Sequence, residues 1–149
     1  MSRTVRLYEH HGPTSIFIDA EIGDGGEVIV SGQDIGEAPE KFYGDSDYEY
    51  WVHVPAAAKP ALLAALQAEL EARRASGGRP SRGDTLARLR GYIAAARSRS
   101  LAALGMADPV DTEILDLIEA LYAGSVEAFN GFRDLLAKHG IKGEYGSYA

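Results

Sequence analysis

The run V-I-V-S-G-Q-D-I-G-E-A-P-E-K-F-Y-G-D-S-D-Y-E-Y-W-V-H-V, residues 28–54, decides the fold class. Its two ends are rich in β-branched and aromatic residues, which suit a pleated, half-buried surface. Between them, Gly36 and Pro39 interrupt any extended pattern, so no strand is expected from Gly32 to Gly44. A short helical turn over Glu37–Phe42 is expected there instead. From Tyr48 to Val54 the alternation resumes: Tyr48, Tyr50, Val52 and Val54 share one face, and Glu49, Trp51 and His53 the other. Pro55 ends that strand.

On the N-terminal side, Ser15 to Ile22 places apolar residues at 16, 18, 20 and 22 and acids at 19 and 21, the pattern of a half-buried antiparallel strand. Gly23-Asp24-Gly25-Gly26 is a turn composition, so residues 15–31 read as a β-hairpin. Thr4–Tyr8 reads as a further short strand, broken by His11-Gly12-Pro13.

Beyond Pro55 the period changes from two to that of a helix. Leu62, Leu63, Leu66 and Leu70 form the stripe of a first long helix, and Ser76-Gly77-Gly78-Arg79-Pro80 stops it. Ser81 and Asp84 resemble a capping pair for a second helix carrying Leu86, Leu89 and Ile93. Asp108-Pro109 starts a third, with Ile114, Leu117, Ile118 and Leu121 as its stripe. Phe129, Phe132, Leu135 and Leu136 belong to a fourth, which His139-Gly140-Ile141 closes. Lys142–Tyr148 is aromatic enough to add an edge strand. The expected fold is therefore α+β: an antiparallel sheet of about four to five strands with helices packed on one face. Residues 1–55 supply mainly strands, 56–140 mainly helices and 141–149 the closing strand of one domain.

The chain has 149 residues and no cysteine, which excludes disulfide scaffolds and thiolate chemistry and favours a cytoplasmic setting. The net charge of −7 is uneven: residues 1–55 carry eleven acids against three bases, 56–107 three against nine, and 108–149 eight against three. Eight arginines fall between Arg73 and Arg99 (Arg73, Arg74, Arg79, Arg82, Arg88, Arg90, Arg97 and Arg99). They could meet nucleic-acid phosphates, but the acidic flanks favour internal pairing with the acidic sheet or a solvated helical face.

Catalytic signatures are missing. Adjacent His10 and His11 point to opposite sides of an extended segment, and zinc-ligand spacings are absent. His10 with Asp19 or Glu21, together with His11 and His53, leaves a metal-dependent hydrolase as the alternative reading. Asp45-Ser46-Asp47 begins like a calcium loop but has Tyr50 where glycine is needed and Ala56 where glutamate is needed. No cofactor, metal ligand or catalytic residue is assigned. An acidic connection bearing tyrosine and tryptophan instead combines steering charge with rigid anchors. The leading expectation is a non-enzymatic protein that docks on a basic protein partner through Asp34, Glu37, Tyr43, Asp45, Asp47, Glu49 and Trp51.

Gly32-Gln33-Asp34-Ile35-Gly36, followed by Gly44-Asp45-Ser46-Asp47-Tyr48-Glu49-Tyr50, resembles small uncharacterised bacterial proteins with a G-Q-D-L-G … G-x-x-E-Y-E-Y pattern. Ile35 stands for the leucine and Asp47 for the glutamate. The ending from Phe132 to Tyr148 is similar too, while residues 77–105 look like an addition. That resemblance implies no established activity. In size, charge and class the chain is similar to bacterial immunity proteins that neutralise toxins, which implies an inhibitor rather than an enzyme.

Overall fold

The structure is a computed structural model that describes residues 3–44, 46–76 and 108–148, and of Tyr43 only the backbone. The expected second helix and Arg79 through Arg99 lie outside the described residues. Five antiparallel strands follow one another in space in chain order: β1 (Thr4–His10), β2 (Thr14–Ile22), β3 (Val28–Gly36), β4 (Asp47–Val54) and β5 (Glu144–Tyr148). A short helix α1 (Glu37–Tyr43) joins β3 to β4. The long helices are α2 (Lys59–Ser76), α3 (Pro109–Tyr122) and α4 (Ala128–Lys138). This is the α+β fold. No described helix is long and apolar enough to cross a membrane.

The core forms where the period-two stripe of the sheet meets the helical stripes. Val5, Leu7, Ile18, Ala20, Val28, Val30, Val52 and Val54 are buried against Leu62 and Leu66 of α2. Ile114, Leu115 and Ile118 of α3 and Phe129, Phe132, Leu135 and Leu136 of α4 complete it. In α3 it is Leu115 that is fully buried, while Leu117 only packs against the margin. Helix α3 starts as its sequence predicts, the Asp108 carboxylate accepting the Val110 N–H at 2.8 Å with Pro109 in the first turn. At the end of α4, Gly140 has φ 66° and the Ile141 N–H returns to the Leu136 carbonyl at 2.9 Å.

Two features depart from the sequence reading. In β1 the register shifts between Arg6 and Tyr8, a bulge at Leu7 that leaves Leu7 buried and Tyr8 packed against the core. The Gly124 N–H, from the α3–α4 connection, donates to the Leu7 carbonyl at 2.8 Å. The second departure corrects the expectation that no strand runs from Gly32 to Gly44. Strand β3 continues to Gly36, pairing Gly32 with Ile18 on one side and Tyr50 on the other. Gly32 does not break the strand because the Tyr50 ring fills the place of its missing side chain: a Cβ there would lie 2.1 Å from Tyr50 Cε2. An aromatic ring laid over a strand glycine restores the packing that the glycine lacks.

The long helices are stitched together by polar contacts at their margins. Lys59 pairs with Asp111 at 2.7 Å and Gln67 donates to Glu113 at 3.0 Å. Arg73 donates to the Leu121 carbonyl at 2.7 Å and stands over the Tyr122 ring at 5.4 Å. That arginine is held between α2 and α3, beside Glu69 of its own helix, and not by the acidic sheet.

Candidate functional site

Strand alternation gives the sheet two different faces. One is the core face described above. On the other, parity places Thr4, Arg6 and Glu9 of β1, Phe17, Asp19 and Glu21 of β2, and Ile29, Ser31 and Gln33 of β3. Asp47, Glu49, Trp51 and His53 of β4 and Glu144, Gly146 and Tyr148 of β5 continue it. None of these side chains joins the buried core, and the three long described helices pack on the opposite side. This open face holds a groove of about 420 Å³ lined by Arg6, Phe17, Asp19, Ser31, Gln33, Glu49 and Trp51.

The register explains the groove. Arg6, Asp19, Ser31, Trp51 and Gly146 form one row across all five strands; Glu9, Phe17, Gln33, Glu49 and Tyr148 form the next. The short Ser31 side chain on the middle strand leaves the depression. Its walls, on β2 and β4, stand roughly 10 Å apart across one intervening strand. Each wall carries one aromatic and one carboxylate, arranged so that Asp19 faces Trp51 and Phe17 faces Glu49.

The β2 wall is already engaged. The Arg6 guanidinium lies 5.2 Å from the Phe17 ring centre, donates to Asp19 at 2.5 Å and pairs with Glu9. Hydrogen bonding to Asp19 is the main reason the Arg6 pKa is raised. On the β4 wall, Gln33 Nε2 donates to Asp47 at 3.0 Å and reaches Glu49 at 3.5 Å. The Trp51 indole fills the space beside Gly146, where a Cβ would lie 2.5 Å from the ring.

The seven residues expected to form a docking surface are divided by this geometry. Asp47, Glu49 and Trp51 come together on the open face. Glu37 is exposed on α1, at the end of the sheet. Asp34 shares parity with Gly32 and lies on the helix-covered face, where its carboxylate accepts the Tyr50 hydroxyl at 3.0 Å. Asp45 and the Tyr43 side chain lie outside the described residues. Arg6, Phe17, Asp19 and Gln33 are absent from the expected set. Only the cross-strand register brings them beside Trp51, although the alternation of 16–22 already put Asp19 on the outward face.

Tyr50 is the hinge between site and core. Its ring stacks edge-on with Phe129 at 4.7 Å and tilts against Tyr48 at 5.5 Å. Tyr145 joins this group beside Phe129, with Arg133 4.2 Å from its ring centre. Burial, with the charge and hydrogen bond of Asp34 behind it, pushes the Tyr50 pKa well up, so the hydroxyl remains a donor. Burial also raises the Asp34 pKa, and the Tyr50 hydrogen bond only partly opposes it.

A carboxyl whose folded pKa is raised contributes stability below its unfolded value, and that contribution is lost as pH rises through the folded value. Asp34→Asn keeps an acceptor for Tyr50 and removes the charge. It should therefore be more stable than wild type at pH 7, by less than about 1 kcal/mol because the site is partly solvated. Below about pH 3 the difference should close, since the wild-type carboxyl is then neutral as well. Urea midpoints at the two pH values check this; a variant less stable at pH 7 contradicts it.

The histidines of the alternative reading do not converge on Asp19 or Glu21, and His11 lies 3.5 Å from Glu9 instead. His10 pairs with Ile16, whereas Asp19 stands opposite Arg6 and Glu21 opposite Thr4. His53 lies on β4, three strands from His10, between Ile29 and Glu144. Among the described residues no group of three or more histidines and acids is placed to hold a metal. Comparison of the chain with protein-family models, with curated proteins and with solved structures returned no match.

Proposed function

We propose that the protein is a non-enzymatic binding protein, of the immunity or antitoxin-like kind, that docks the open face of its sheet on a basic protein partner. The observation that carries this reading is the composition of that face. Glu9, Asp19, Glu21, Asp47, Glu49 and Glu144 stand on it with Arg6 as the one described lysine or arginine, and Phe17, Trp51 and Tyr148 are interleaved. Carboxylates of one sign steer a basic partner and select against acidic ones. Aromatic residues on strands supply anchors with little conformational freedom to lose.

The test compares two variants of equal charge. Asp47→Lys/Glu49→Lys alters the open face; Glu71→Lys/Asp134→Lys makes the same change at exposed positions on α2 and α4. The first should lose capture of the basic partner and the second retain it, with both folded by circular dichroism. Equal capture by both, or equal loss, overturns the assignment of this face.

A further inference from the structure

The two walls of the groove are built from the same parts, but among the described residues only one of them holds a lysine or arginine. Phe17 and Asp19 are two residues apart on β2, and Arg6 reaches across from β1 to lie over the ring and bond the carboxylate. Glu49 and Trp51 are likewise two residues apart on β4, on the same face. On β5, the residue opposite Trp51 is Gly146, which has no side chain to offer, and opposite Glu49 stands Tyr148. Within the described residues the Glu49 carboxylate has no lysine or arginine in ion-pair contact, and its one hydrogen bond is the 3.5 Å approach of Gln33.

We infer that the Trp51/Glu49 wall is a seat for an arginine side chain presented by the partner. This rests on the docking reading above and names the group that the face recognises. Arg6 on Phe17 and Asp19 is the arrangement in which this fold already holds a guanidinium. A guanidinium is planar and can lie against the indole while directing two N–H groups at a carboxylate, which an ammonium cannot do. Glu49 is the counter-ion, Trp51 the platform, and Gln33 and Ser31 the polar floor. The groove volume of about 420 Å³ leaves room for an arginine side chain beside Arg6.

The chain has one tryptophan, so its fluorescence reports the seat directly. The full chain is titrated at low ionic strength with hexa-arginine, hexa-lysine and the neutral sugar cellohexaose. Hexa-arginine should change Trp51 emission saturably and bind at least about fivefold more tightly than hexa-lysine. Glu49→Gln should weaken hexa-arginine at least about fivefold and remove the preference over lysine, while Glu71→Gln, an equal charge change on α2, should not. Arg6→Gln vacates the second wall and should tighten hexa-arginine about twofold or more.

If both peptides bind equally and Glu49→Gln weakens them equally, the arginine seat is wrong while the acidic docking face survives. If Glu71→Gln weakens binding as much as Glu49→Gln, binding follows overall charge and both readings fall. No saturable change with hexa-arginine, no gain in Arg6→Gln, or a response to cellohexaose in its place overturns the inference.

Discussion

Phe132→Ala should cost about 3–5 kcal/mol, because the ring is fully buried and its removal leaves a cavity in the core. Phe132 stands edge-on to Tyr122 with ring centres 6.3 Å apart, so its loss also loosens the contact of α4 with α3. For a chain of this length the melting temperature should fall by on the order of 10 °C. Phe42→Ala is the control, since that side chain is 74% exposed and its removal should change stability by under about 0.5 kcal/mol. Urea unfolding of the two variants gives the comparison directly. A loss below about 1 kcal/mol at Phe132 would mean that α4 does not seal the core.

Gly32→Val should destabilise by about 3 kcal/mol, although valine is the better strand residue. Strand propensity alone would favour valine by up to about 1 kcal/mol, so the two effects have opposite signs. Sterics win, because a Cβ at position 32 lies 2.2 Å from Tyr50 Cζ and 2.4 Å from its hydroxyl. The ring must leave, giving up the Asp34 bond and the edge-on contact with Phe129. In a Tyr50→Ala background the clash is gone, and Gly32→Val should cost under about 1 kcal/mol or stabilise. That double-mutant cycle separates the close approach from any intrinsic cost of valine. A Gly32→Val cost that is the same in both backgrounds would contradict the Tyr50 account.

The strands that could be read from sequence are those whose alternation ran without interruption, 15–22 and 48–54, and they lie where the pattern put them. Caps were legible for the same local reason: Asp108-Pro109 and Gly140 each act on their own helix end. The closing strand is present as β5, paired with β4. What failed was the stretch from Gly32 to Gly36, which continues the strand, with Gly32 a packing site in three dimensions. The Tyr50 ring that needs this space is eighteen residues away, and nothing local announces the pairing. The Leu7 bulge escaped for a similar reason, since its freed carbonyl is satisfied from Gly124.

The candidate site was half legible. Parity on β4 correctly grouped Glu49 and Trp51, and Asp47 belongs with them. Proximity in sequence groups Asp34 with them wrongly, because the sequence pattern ends the strand before Asp34. Once β3 is continued to Gly36, Asp34 falls on the parity of Val28, Val30 and Gly32 and turns toward Tyr50. The β2 wall could not be found from β4 alone. It required the register that sets Phe17 opposite Gln33 and Asp19 opposite Ser31.

The central claim is that the open sheet face is the contact surface. Trp51, the single tryptophan, lies on that face, so protein labelled with 5-fluorotryptophan has one fluorine resonance that reports on it. If the chain docks on a basic protein as proposed, titration with that protein should shift or broaden this resonance in step with the binding isotherm measured by calorimetry. A resonance that stays unchanged while calorimetry reaches saturation would place the contact elsewhere and contradict the account.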